Sequence, residues 1–236
     1  MEIQGRVVIV TGASAGIGLA TARLFAQQGA KVALAARSAD VLEQIAAELP
    51  DALVMPTDMR DGAAVARMVS AVQQHYGRID VLINNAGQGM HVPIEQIDLE
   101  QYRALLELNV VSVIGAMQAV IPIMRQQGGG VIINISSGLS KRIIPHVGPY
   151  ASTKYALNAL TLTARLELAP DNIRVGLMLP GMTATDFIKN AISYQPNPER
   201  QGGMPSDSPE HVAEKILEAV RTEEAEVYAD SITPQR

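Results

Sequence analysis

Thr11-Gly12-Ala13-Ser14-Ala15-Gly16-Ile17-Gly18 is the stretch that decides the fold. Before it runs Arg6–Val10, apolar and β-branched. After it, Ala15–Gln28 repeats apolar residues at helical spacing, with Ile17, Ala20, Leu24 and Phe25 on one face. A glycine-rich turn between a strand and a helix lets backbone amides approach an anion such as a pyrophosphate. The helix N-terminus adds orphan N–H groups and a favourable dipole. Gly18, inside the helix, allows close helix–strand contact. The spacing is Gly-x-x-x-Gly-x-Gly, not the more general Gly-x-Gly-x-x-Gly, and a tight βα turn without a ligand would also satisfy it.

Outward from this turn the chain alternates strands and helices. Gly29 closes the first helix where a left-handed residue is wanted. Val32–Ala36 is a second strand, and Asp40-Val41-Leu42-Glu43 reads as a capping box opening a helix that stops at Pro50. Leu53–Met55, the helix Asp61–Tyr76 ended by Gly77, and the strand Val81–Ile83 running into Asn84-Asn85-Ala86-Gly87 follow. Asp98 caps a long helix reaching about Gln127. Then come Val131–Ile135, the helix Tyr150–Leu168, Val175–Leu179, the helix Glu210–Arg221 and Glu226–Ala229. The strands are continuous apolar runs, as strands covered on both faces should be. The expected fold is therefore α/β: one domain over 1–236, a doubly wound parallel sheet of about seven strands with helices on both faces, in three layers. Ile192–Ser208, with Pro196, Pro198, Gly202-Gly203 and Pro205, is an irregular excursion, read as a substrate lid at about 183–208.

The bulk composition narrows the function. Apolar residues make up 47% and charged residues 18% of the 236, so a packed globular chain is expected. With two Phe and no Trp, the core must come from Val, Ile, Leu, Ala and Met. A net charge of -5 offers no broad attraction to nucleic acid or anionic lipid. Cysteine is absent, which removes disulfides, thiolate catalysis and Cys-based zinc sites, and no two of His75, His91, His146 and His211 stand at metal-ligand spacing; no metal is expected. The amino terminus lacks the pattern of a signal peptide. No apolar run is expected to reach membrane-span length, since Asn109, Ser112 and Gln118 interrupt the longest apolar helix. Together these point to a cytoplasmic protein that does not engage membranes or nucleic acid.

Two places carry chemistry. At the end of the second strand, where an NAD site puts a carboxylate for the ribose 2′-hydroxyl, stand Ala35-Ala36-Arg37-Ser38. Arg37 suits a 2′-phosphate, so NADP(H) is expected over NAD(H), the plainer alternative being a solvated surface arginine. Further on, Tyr150 and Lys154 sit four apart on a helix and so share a face. A neighbouring ammonium lowers a phenol's pKa toward the working range. Ser136-Ser137 add hydroxyls at the carboxyl end of the fifth strand, where ligands bind in open α/β sheets.

With these residues in view, the sequence resembles the short-chain dehydrogenase/reductase family, over about Gly5 to Tyr228 and with the motifs in the family's order. The resemblance implies a Rossmann-type fold and an NADP(H)-dependent oxidoreductase that moves a hydride between nicotinamide and a carbonyl/alcohol pair. It implies cofactor contacts at Gly12, Ser14, Ala15, Gly16, Ile17 and Gly18, at Arg37, at Asp58 and Met59 bordering adenine, and at Asn85, Ala86 and Gly87. Pro180, Gly181, Thr183 and Thr185 match the segment holding the nicotinamide carboxamide, with Tyr150 and Lys154 completing the contacts. The implied catalytic set is Asn109, Ser137, Tyr150 and Lys154; Ser137 is preferred to Ser136 because it precedes Tyr150 by 13 positions. Tyr150 would exchange the proton, Lys154 would lower its pKa and bind the nicotinamide ribose, and Ser137 would donate to the substrate oxygen. Asn109 would hold a water linking Lys154 to solvent, or would merely satisfy a kinked helix backbone.

The pocket is expected to be walled by Gln88-Gly89-Met90-His91, by Leu139 and Ile143–Val147, and by Met182 through Tyr194, mostly apolar, for a hydrophobic carbonyl or alcohol substrate. His91 and His146 would orient polar substrate groups or be ordinary loop residues. Lys141-Arg142 would attract an acid or be a solvated loop. Two long helices carry more apolar surface than one buried stripe needs, through Leu105–Met117 and Ala156–Leu166, so a homodimer or homotetramer is expected. The carboxyl end, Ser231–Arg236, is short for the family, and a further tail closing the pocket is an expectation. Two other readings exist: a catalytically silent NADP(H) sensor on the same fold, and a sugar epimerase or dehydratase. Epimerases and dehydratases are usually longer chains.

Overall fold

The computed structural model describes residues 1–195, 206–229 and 231. Pro196, Pro198, Gly202, Gly203 and Pro205, the centre of the expected lid, and residues 232–236 lie outside the described residues. In chain order the elements are β1 (Val7–Thr11), α1 (Gly16–Gln27), β2 (Lys31–Ala36), α2 (Ala39–Glu48), β3 (Leu53–Pro56), α3 (Gly62–Tyr76), β4 (Val81–Asn84) and β5 (Met90–His91). There follow α4 (Leu99–Leu106), α5 (Ser112–Gln126), β6 (Gly130–Ile135), α6 (Gly148–Leu168), β7 (Ile173–Leu179), β8 (Ser193–Tyr194), α7 (Pro209–Thr222) and β9 (Glu226–Tyr228).

Seven strands form one parallel sheet in the order β3-β2-β1-β4-β6-β7-β9. The chain winds outward from β1 to β3, returns to β4 on the other side of β1, and winds outward again. Alternation along β1 splits the core in two. Val8 and Val10 pack with Phe25, Leu42 and Ile216 of α1, α2 and α7. Val7 and Ile9 pack with Met68, Met117 and Leu157 of α3, α5 and α6. This is the Rossmann-type, three-layer α/β architecture, and every residue of β1, β4 and β6 is buried, as their apolar runs required.

Turn chemistry explains most boundaries. Asp61 caps α3 by accepting from Ala63 N and Ala64 N, and Gly77 ends it with φ 79°. Asp98 caps α4 through Gln101 N. The capping box at Asp40–Glu43 is a correction: α2 starts at Ala39, Ser38 is its cap residue, and Asp40 sits in the first turn, favouring the helix dipole rather than capping. The single helix from Asp98 to Gln127 also needs correcting, because one π-helical turn, Glu107–Val111, separates α4 from α5. The continuous stretch Leu99–Gln126 does reach the length and apolarity needed to cross a bilayer, against the expectation; here it packs against α3 and α6 instead.

Candidate active site

Parallel strands deliver their carboxyl ends to one edge, and the winding reverses between β1 and β4, which opens a crevice there. Six strand ends bring the singled-out residues to that edge: Gly12–Gly18 after β1, Arg37 after β2, Asp58 and Met59 after β3, Asn85–Gly87 after β4, Ser137 after β6, and Pro180–Thr185 after β7. α6 adds Tyr150 and Lys154, and the π-helical turn adds Asn109.

The glycine turn is held by its neighbours. Gly12 and Gly16 have φ of 67° and 53°. Asn85 Nδ2 donates to Thr11 O at 2.9 Å, while Thr11 Oγ1 accepts from Asn85 N at 2.9 Å and Ala86 N at 3.0 Å. The first turn of α1 has neither a capping side chain nor an acidic residue, so its orphan N–H groups fit an anion such as a pyrophosphate. Thr185 closes on the same turn: a Cβ on Gly16 would lie 3.1 Å from Thr185 Cγ2.

Around α6, Ser137 hydrogen-bonds the Tyr150 phenol, and burial pushes that phenol up to about 12 despite the Ser137 bond. Lys154 Nζ lies 5.8 Å from the Tyr150 ring centroid and donates to Ile135 O at 2.8 Å; burial pushes it down to about 8. The expectation of a phenol lowered by Lys154 is thus corrected. Both groups are removed from water, and desolvation disfavours both charges, so the phenol holds its proton at neutral pH. Ser136 faces elsewhere, with Oγ bonded to Asn158 Oδ1 at 2.5 Å.

Asn109 is clamped. Its Oδ1 accepts from Gln88 N at 3.0 Å, and its Nδ2 donates to Gln88 O at 2.9 Å and Thr153 Oγ1 at 3.1 Å. Gly87 approaches it closely, since a Cβ there would lie 3.2 Å from Asn109 Oδ1 and 3.8 Å from Lys154 Nζ. Gln88 and Thr153 were not singled out as partners of Asn109 in the sequence, nor was Asn158. Asn158 could have been found from its register: Tyr150, Lys154 and Asn158 recur every fourth residue on one helix.

Over Tyr150 lies a small parallel sheet, β5 with β8. It brings His91 to 5.8 Å and Phe187 to 5.6 Å from the Tyr150 ring, centroid to centroid, and Tyr194 to 5.7 Å from His91. His146 takes a left-handed φ of 66°, and its buried Nδ1 has no partner among the described residues. Ile143, expected as a wall, is 89% exposed, because its loop turns outward to solvent. Lys141, read as bait for an acid or as a solvated loop residue, is exposed and pairs with Glu226 at 2.9 Å.

Comparison with known proteins gives consistent neighbours. The family model for short chain dehydrogenase matches residues 6–195. A 3alpha-hydroxysteroid dehydrogenase of Mediterraneibacter gnavus is 36% identical over 194 residues, 80% of this chain and 78% of that protein. A 7 alpha-hydroxysteroid dehydrogenase solved with NADH and 7-oxo glycochenodeoxycholic acid superposes with a TM-score of 0.89 at 28% identity, covering 100% of this chain and 96% of that one. An alcohol dehydrogenase of the archaeon Thermococcus sibiricus, solved with 5-hydroxy-NADP, superposes with a TM-score of 0.85 at 30% identity, covering 99% and 100%.

Proposed function

Because the chain belongs to the short-chain dehydrogenase family, we propose that it is an NADP(H)-dependent oxidoreductase interconverting a hydrophobic carbonyl compound and its alcohol. The observation that carries this reading is the buried, protonated Tyr150 phenol, bonded to Ser137 and one helical turn from Lys154, on the sheet edge that also carries the uncapped first turn of α1. A bound nicotinamide supplies the hydride for reduction and takes it in oxidation. Tyr150 gives its proton to the oxygen that gains charge, and Ser137 donates to the same oxygen. Lys154 would stabilise the phenolate left when that proton is given, and would hold the ribose of a bound cofactor. Asn109 keeps Gln88 and Thr153 in place beside Lys154. A silent sensor would have no use for this proton donor.

Arg37 supports NADP(H): it is exposed and has no ion pair among the described residues, and no carboxylate ends β2. A panel of ketones, aldehydes and quinones should show NADPH oxidation with at least one member and less turnover with NADH. In Arg37→Asp the ratio of NADPH to NADH affinity should fall by at least about tenfold, the worth of one charge-assisted contact. A panel with no turnover overturns the enzyme reading, and an unmoved ratio overturns the role of Arg37. An apolar substrate is supported by the local chemistry: of two Phe and six Tyr in the chain, Phe187, Tyr150 and Tyr194 form, through His91, one row of ring contacts.

The enzyme is read as a homodimer or homotetramer through α5 and α6. Leu160 and Leu166 are 40% and 78% exposed, and Ile114, Ile121, Leu157 and Leu160 line a shallow groove between the two helices. Sedimentation at micromolar concentration should give twice or four times the 25.2 kDa chain mass; a monomer overturns this reading.

A further inference from the structure

The adenosine end of the crevice sets two arginines around one carboxylate. Thr57 N donates to Ala36 O at 2.8 Å, which ties the ends of β2 and β3 together and brings Arg37 near enough to Asp58 for its charge to be felt there. Both oxygens of Asp58 are bonded by Arg60. Arg60 Nε reaches Oδ1 at 3.1 Å, Nη2 reaches Oδ2 at 2.7 Å, and Arg60 N donates to Oδ1 at 3.0 Å. This is the planar fork that takes both oxygens of a carboxylate. The Asp58 carboxyl is accordingly held down at about 2, chiefly by the Arg60 side-chain bonds against the pull of partial burial, with Arg37 adding a smaller field. Arg37 itself stays exposed, with no hydrogen bond or ion pair among the described residues.

A bare carboxylate in that position would be a rival for Arg37. It would draw the guanidinium to itself and repel a phosphate arriving on the ribose 2′ oxygen. We propose that Arg60 is a positioning residue for cofactor selectivity: by clamping Asp58 it cancels that charge and leaves Arg37 available to the 2′-phosphate, without contacting the phosphate itself. The inference rests on the Arg37 reading above. Both partners of the clamp are partly solvated, with side chains 41% and 38% exposed, so its weight for folding is small and its effect is on the local field.

The experiment measures dissociation constants of NADPH and NADH for the wild type, Arg60→Ala, Asp58→Asn and the double variant. The readout is the ratio of the two affinities, because both cofactors share the adenine contact and its loss cancels. Arg60→Ala should weaken NADPH relative to NADH by about tenfold, the size of one partly screened charge interaction near a protein surface. The effect should shrink as salt is raised. Adding Asp58→Asn to Arg60→Ala should restore the wild-type ratio, since the charge needing cancellation is gone. A purely structural role would move both affinities together, and that result, or no change in either, overturns the proposal. A fallen ratio that Asp58→Asn does not restore makes Arg60 a direct phosphate ligand and equally overturns it. The Arg37 reading fails on a different observation, a wild type with no NADPH preference. Even then, a ratio that drops in Arg60→Ala and returns with Asp58→Asn supports the clamp.

Discussion

Tyr150→Phe should lower turnover by about 10³-fold, within the range of a positioned acid–base group, while leaving cofactor affinity nearly unchanged. The substitution is clean because the phenol ring is held by its faces and edges, against Phe187 at 5.6 Å and His91 at 5.8 Å, and a phenyl ring keeps those contacts. Only the hydroxyl and its bond to Ser137 are lost, so stability should change by about 1 kcal/mol. The pH dependence supplies an independent readout. With the phenol pushed up to about 12, the proton donor stays loaded across the neutral range. With Lys154 pushed down to about 8, its positive charge is present below that pH and fades above it. Carbonyl reduction should therefore hold across the neutral range and decline as pH rises through about 8, where the charge that stabilises the phenolate left behind is lost. A Tyr150→Phe variant keeping more than about a tenth of the wild-type turnover, far above the loss a general acid should bring, would remove Tyr150 from the mechanism.

The second large effect belongs to Gly18→Ala. A Cβ at position 18 would stand 2.2 Å from Gly12 O and 2.5 Å from Asn85 Nδ2. Neither neighbour can yield easily. Gly12 sits at φ 67° in the turn, and Asn85 Nδ2 is bonded to Thr11 O at 2.9 Å. One added methyl must therefore displace the turn from α1 or break the Asn85 clamp. The expected cost is about 2–3 kcal/mol from overpacking, a fall in Tm of about 5–10 °C for a chain of this size. Because the same turn aims the amides proposed to receive the cofactor, kcat/KM should fall by about 10²-fold, as a misplacement near 1 Å can cause. Thermal melts and cofactor titrations check both halves; a Gly18→Ala variant with wild-type melting and affinity would show that the close approach is dispensable.

The fold was readable in the sequence because its strongest signals are local. Continuous apolar strands, a glycine turn between strand and helix, the stop at Gly77 and the cap at Asp98 each announce themselves within a few residues. What stayed hidden depends on distant partners or on small differences of period. The π-helical turn at Glu107–Val111 adds under one residue per turn, too little for apolar spacing to register over five positions. The capping box failed because Ser38 starts the helix two residues before the acidic residue that looked like its cap. The direction of the Tyr150 shift was missed because Lys154 is visible in the sequence, whereas the burial that outweighs it is a property of the packed crevice. Lys141 is paired with Glu226, 85 residues away, and Phe187 reaches Tyr150 only after β5 and β8 have paired.

The strap formed by β5 and β8 is fastened by peptide groups: Ile192 N to Gly89 O at 2.9 Å and Gln195 N to His91 O at 2.7 Å. Main-chain fastenings are indifferent to which side chain hangs from them. Phe187 and Tyr194 can consequently be exchanged one at a time while the roof stays in place. A lineage, or a laboratory library, is thereby able to drift toward differently shaped reactants without passing through an unfolded or unlatched ancestor.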